Sequence, residues 1–182
     1  QSFPIGTYYY PLFGHRIKPF ALGPIYIRWI TNHPKDNFKQ MTRQQYETLY
    51  DTGLEKFSDN LGDNPAIDAF VERGGKLMID HGIDDPLIPV DGTLDYLQKV
   101  KEHFGGWKAL DKFLRVYITP GDNHGNCQGN GPGLTESDGM RALMAWVEDG
   151  CVPEEMRKVR VDRKTGETLE EGMEAPFRLE DE

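Results

Sequence analysis

Apolar positions change their period twice between Lys76 and Gly150. KLMID (76–80) is a compact apolar run that predicts a strand, and LDYLQKVKEHFGG (94–106) then sets Leu94, Leu97, Val100 and Phe104 along one helical face. FLRVYIT (113–119) predicts a second strand. After a polar loop, Thr135 with Asp138 resembles a capping box opening a helix with the stripe Met140, Leu143, Met144 and Val147, ended by Gly150. Strand, helix, strand, helix is the succession that builds right-handed parallel crossovers in an α/β sheet.

The flanks read differently. Residues 1 to about 40 are rich in Gly, Pro and rings (Tyr8, Tyr9, Tyr10, Phe13, Phe20, Tyr26, Trp29), which predicts irregular structure, with only 22–30 regular. From Thr42, an expected N-cap, RQQYETLYDTGLEKF carries Tyr46, Leu49, Tyr50 and Phe57 near helical spacing. NPAIDAFVERGG predicts a second, short helix with Pro65 at its first position and Gly74 as its stop. The tail VRVDRKTGETLEE predicts an exposed hairpin turning near Lys164 to Gly166, with charged flanks that only solvate it. The expected parts are therefore 1–64, irregular and helical; 65–153, the α/β core; and 154–182, a charged hairpin and tail.

Composition narrows the function class. The 182 residues carry a formal net charge of −9 and no long basic run, which argues against a nucleic-acid backbone as partner. Apolar stretches such as Ile25 to Ile30 are too short to cross a bilayer, and QSFPIG lacks the basic and apolar regions of a signal peptide. The opening residues read like the middle of a longer chain, so a fragment is expected. Cys127 and Cys151 are compatible with a reducing cytosol or with one bridge in an exported protein.

In open α/β sheets ligands sit beyond the carboxyl ends of the strands. Both predicted strand ends are chemically loaded: HGIDDPLIP (81–89) presents Asp84 and Asp85, and ITPGDNHGNC (118–127) presents His124. A carboxylate followed by a histidine is the back half of the Ser, Asp/Glu, His order of α/β-hydrolases. The acid would hold the imidazole in one tautomer, while Gly121 and Gly125 let the loop turn on either side of the general base. Pro86 fixes the chain after Asp85 and favours it over Asp84, which could form the turn or be the acid itself. A solvated surface histidine is the plainer reading of His124. No nucleophile is visible: Ser2, Ser58 and Ser137 stand in no Gly-x-Ser-x-Gly elbow, and Cys127 has no cationic neighbour to lower its pKa.

FVERGGKLMIDHGIDDPLIPVDGTLDYLQKV, ITPGDNHGNCQGNGPG and ALMAWVEDGCVPEE together resemble the tannase and feruloyl esterase family of serine esterases over about 65–153. The resemblance implies the C-terminal part of an α/β-hydrolase fold, preceded by a lid-derived segment, with Asp85 as triad acid and His124 as general base. It also implies a nucleophilic serine in an upstream segment of the same protein, small-molecule esters of hydroxylated aromatic acids as substrates, and secretion or a periplasmic location. The aromatic rings of residues 1–40 could line a pocket for such acids or pack in a core or lid. Family members tie a cysteine before the serine to one directly after the histidine. Here Gly125 and Asn126 intervene, so Cys127 could bridge upstream, pair with Cys151, or stay reduced. The family's calcium site belongs to a lid region not found here, and Asp59, Asp63 and Asp68 read as helix-flanking charges, so no metal or cofactor is expected. A generic α/β-hydrolase of other acyl specificity and a non-catalytic binding domain are the alternatives.

Overall fold

The computed structural model describes residues 22–32, 41–58, 62–85, 87–124 and 130–180, in two compact units, Gln1–Asp63 and Asn64–Glu182. The first holds α1 (Leu22–Thr31) and α2 (Arg43–Lys56). Thr42 caps α2 through the expected device: its hydroxyl accepts from Gln45 N while the Gln45 side chain accepts from Thr42 N, so two otherwise orphaned donors are satisfied. Ile27 and Ile30 of α1 are buried, and Lys56 Nζ donates to the Ile30 carbonyl at the C-terminal end of that helix (3.1 Å). The remaining aromatic-rich positions of 1–21 and 33–40 lie outside the described residues.

The second unit opens with a correction. Pro65 does not start a helix: Asn64 Oδ1 accepts from Ala66 N (3.0 Å), an Asx-type turn that competes with helical bonding, and α3 begins only at Asp68 (Asp68–Glu72). Gly74, at φ +81°, then turns the chain toward β1 (Leu77–Gly82). The crossover follows as α4 (Val90–Phe104) and α5 (Trp107–Leu110), leading to β2 (Leu114–Thr119). β1 and β2 pair in parallel, from Leu77 opposite Leu114 to Gly82 opposite Thr119. Helix α4 starts four residues before the apolar stripe, with Asp91 in its first turn, and Gly105 closes it in the left-handed region.

Strand β2 is buried along its whole length. Leu114, Val116 and Ile118 form one core with Leu97 and Val100 of α4, Leu110 and Phe113. On the opposite face Tyr117 packs with Leu134 and Met156. The second sheet is antiparallel, in the order β3 (Gly133–Leu134), β4 (Met156–Val161), β5 (Thr168–Glu174).

Two expectations about the C-terminal third change. The hairpin forms, but its charges do more than solvate it: Arg157 pairs with Glu171 (2.8 Å), Lys158 with Glu174 (2.6 Å) and Arg160 with Glu170 (3.3 Å) across the strands. Residues beyond β5 dock on the core, where Phe177 N donates to Val116 O (2.6 Å) and Trp107 Nε1 donates to Leu179 O (2.9 Å). The stripe of α6 (Glu136–Asp149) is also corrected, since Met140, Met144 and Val147 are 59%, 49% and 59% exposed. Its buried face is centred on Trp146, whose ring lies under Lys76 and Arg115.

Candidate active site

The parallel register brings the two strand ends side by side, and backbone bonds join the loops beyond them. Ile83 N donates to Thr119 O (3.1 Å) and Asp84 N to Asp122 O (3.0 Å). This approach needs a residue without a side chain at the end of β1, because a Cβ on Gly82 would run into the backbone of Asp122 and Asn123. The histidine loop is pinched at its base, where Gly131 N donates to Gly121 O (2.8 Å) and Gly121 takes φ +83°. Asp122 is buried there. Its carboxylate accepts from Asn123 N (2.9 Å) and lies where a Cβ on Gly133 would be.

On this stitched base Asp85 and His124 meet. Asp85 Oδ2 is 2.8 Å from His124 Nδ1, and Oδ1 accepts from Leu87 N (2.7 Å) and Ile88 N (3.0 Å). The acid's side chain is 7% exposed and that of the histidine 51%. Burial pushes the Asp85 carboxyl up, but the Ile88 N–H, His124 and the Leu87 N–H together outweigh it and leave the group below its ordinary value. An ionised carboxylate only accepts, so Nδ1 of His124 carries the proton and Nε2 is free to take one. Asp84, the alternative acid, is exposed and serves the site through its backbone N–H.

A cleft of about 620 Å³ opens at the pair, lined among others by His81, Ile88, Thr93, Asn123 and Glu136. Asp80 also lines it, its carboxyl pushed up to about 6 by burial first and then by the charges of Asp122 and Glu174. The sequence reading missed two residues beside the acid. His81 places Nε2 2.9 Å from Ile88 O and Nδ1 2.7 Å from Thr93 Oγ1. The available signal was its place at the end of β1, four residues before Asp85.

Other expected residues fall elsewhere. Ser137 sits in the first turn of α6 beside the Thr135 hydroxyl (3.2 Å), and Ser58 donates to Glu55 O (3.1 Å); both serve helix ends. Ser2, Asp59, Pro86, Gly125, Asn126 and Cys127 lie outside the described residues, while Cys151 is an exposed free thiol. Asp68 faces His103 (2.7 Å). Among the described residues no group of three or more His, Cys, Asp or Glu could hold a metal ion, and no helix is long and apolar enough to cross a membrane.

Comparison with known proteins agrees with this architecture. The chain is 30% identical over 156 residues to a probable feruloyl esterase of Arthroderma benhamiae, covering 85% of this chain and 29% of that protein. It is 32% identical over 129 residues to a tannase of Aspergillus oryzae, covering 65% of this chain and 22% of that one. The chain thus spans less than a third of the length of these relatives. Its fold matches the crystal structure of an esterase from Aspergillus oryzae with a TM-score of 0.71 at 21% identity, over 88% of this chain and 34% of the other. A tannin acyl hydrolase from Aspergillus niger matches at 0.66 and 24% identity, over 87% and 30% of the two chains. Both are α/β-hydrolase-type structures. The family profile for tannase and feruloyl esterase matches residues 26–173, and the chain belongs to that family.

Proposed function

We propose that this chain supplies the acid and the general base of a serine carboxylic-ester hydrolase acting on esters of hydroxylated aromatic acids. The nucleophilic serine comes from an upstream segment of the same protein. One observation carries the reading: a nearly enclosed carboxylate, Asp85, lies 2.8 Å from Nδ1 of a half-exposed imidazole, His124, beyond the ends of two parallel strands. The names of the relatives support the ester class and its aromatic acids.

In the first half-reaction the serine oxygen bonds to the ester carbonyl carbon and its proton passes to His124 Nε2. Collapse breaks the bond to the leaving alcohol, which takes that proton. Water repeats the sequence on the acyl-enzyme, again through His124, and releases the aromatic acid and the free serine. Asp85 stays ionised throughout, holding the ring's orientation and stabilising its charged form. Family membership also supports an exported protein; a mass shift on reduction and alkylation of the full-length protein tests whether Cys127 is bridged upstream, paired with Cys151 or reduced.

His124→Ala in the full-length protein is expected to abolish ester cleavage with the melting transition retained. Turnover close to that of the parent would refute the assignment. Rates on gallate, feruloyl and short aliphatic esters separate an aromatic-acid esterase from an α/β-hydrolase of another acyl specificity.

A further inference from the structure

The acid carries two oxygens, and only one of them faces His124. What decides this is the turn after Asp85, where Leu87 N and Ile88 N hold Oδ1. We infer that His81 is a positioning residue for the reaction proposed above, fixing that turn and leaving Oδ2 of Asp85 to His124. This inference rests on the ester-hydrolase reading.

Strand alternation puts His81 on the same face of β1 as Leu77 and Ile79, which pack on the core, and its side chain is 9% exposed. Its ring spans three pieces of chain. It is rooted in β1, its Nε2 lies 2.9 Å from the Ile88 carbonyl, and its Nδ1 lies 2.7 Å from Thr93 Oγ1 in the first turn of α4. Ile88 is held from both sides: its N–H donates to Asp85 and its carbonyl accepts from His81. A shift of the His81 ring would move the peptide that orients the acid.

Donor and acceptor chemistry fixes the nitrogen that faces Ile88. A carbonyl oxygen only accepts, so Nε2 of His81 carries hydrogen. In the neutral ring Nδ1 then accepts from the Thr93 hydroxyl, and both ring nitrogens are occupied. The same Nε2 lies 4.0 Å from Asp85 Oδ2, too far for a hydrogen bond. A second imidazole thus stands beside the acid without competing with His124, because the N–H on its Nε2 is committed to Ile88.

The test uses the full-length protein carrying Thr93→Val, Thr93→Ser, His81→Ala or His124→Ala. Thr93→Val keeps the shape and removes the hydroxyl, and with His81→Ala it should lower kcat about tenfold to a hundredfold with KM little changed. Thr93→Ser should restore most of that loss. In the unsubstituted protein, imidazole 15N spectra should show a proton on Nε2 of His81, the nitrogen that faces the Ile88 carbonyl. Parental kcat in folded Thr93→Val, or a bare Nε2 in His81, overturns the positioning role while leaving the ester-hydrolase reading intact if His124→Ala is dead. Turnover surviving in His124→Ala sinks the ester-hydrolase reading instead. Should Thr93→Val fail to fold, the spectrum of the unsubstituted protein decides alone.

Discussion

Replacing Asp85 by Asn isolates the acid's charge from its shape. Oδ1 is held by two N–H donors, from Leu87 and Ile88, so in the variant the amide oxygen must stay there; an NH2 group cannot accept. The amide nitrogen then occupies the place of Oδ2, 2.8 Å from Nδ1 of His124, and presents a donor to it. His124 is forced to accept at Nδ1 and carry its proton on Nε2, which leaves no base facing the cleft. In the serine-protease triad the same exchange lowers kcat about ten-thousandfold with geometry intact, or about 5 kcal/mol of transition-state stabilisation, and a loss of that order is expected here. Stability should move by only about 1 kcal/mol, since all three hydrogen bonds survive, the one to His124 with its direction reversed, and a nearly enclosed charge is removed. The depressed pKa of Asp85 means that its ionised form stabilises the fold at neutral pH and that this contribution is lost as pH falls through the depressed value. Acid unfolding below about pH 4 should therefore be flatter in the variant. The assay is steady-state ester hydrolysis by the full-length protein beside its melting curve. Turnover within tenfold of the parent, in a protein that melts normally, would refute the triad assignment.

Gly133→Ala would drive a Cβ into the buried carboxylate of Asp122 at the base of the histidine loop; a loss of about 1–3 kcal/mol is expected in a denaturant titration. Tyr117→Phe removes the donor to the buried Pro153 carbonyl (2.8 Å) and should cost about 1–3 kcal/mol in the same titration. Burial first, then Asp122 and Glu174, raise Asp80 to about 6, so the folded protein binds the extra proton and loses stability as pH rises from about 4 to about 6. Asp80→Asn should flatten that stretch of a pH series of urea midpoints, modestly, because solvent reaches Asp80 at the edge of β1.

The parts legible in the sequence were those where pattern and environment coincide. Strand β2 and helix α4 bury positions that their periodicity marked, Leu97 and Val100 among them, the apolar residues of β1 pack half-buried against the same core or its opposite face, and Thr135 and Gly150 bound α6 as their types suggest. Asp85 and His124 stood out because strand ends are where such sheets carry chemistry. Illegible parts depend on partners distant in sequence. Which face of α6 is covered follows from what it meets, and Trp146 under two cations takes the place that the Met140 stripe suggested. Phe177 and Leu179 dock through two hydrogen bonds in a segment too short for any period. His81 reads as one more polar residue at a strand end until the turn at 85–88 brings Ile88 O to its ring.

These features share a cause that bears on how such a site stays aligned. Asp85 and His124 are carried by loops, which ordinarily move more than the strands beneath them. Here both loops are bound at the backbone, by Ile83 to Thr119 and Asp84 to Asp122, at a spacing that only glycine at 82 allows. Side chains add the rest, with His81 holding the acid's turn and Asp122 filling the floor of the histidine's loop. Such a base holds Asp85 Oδ2 2.8 Å from His124 Nδ1 and leaves the imidazole half exposed, the arrangement that the proposed general base requires. Damage to the floor, at Gly82 or Gly133, should therefore weaken the acid–histidine contact even though neither residue touches the imidazole.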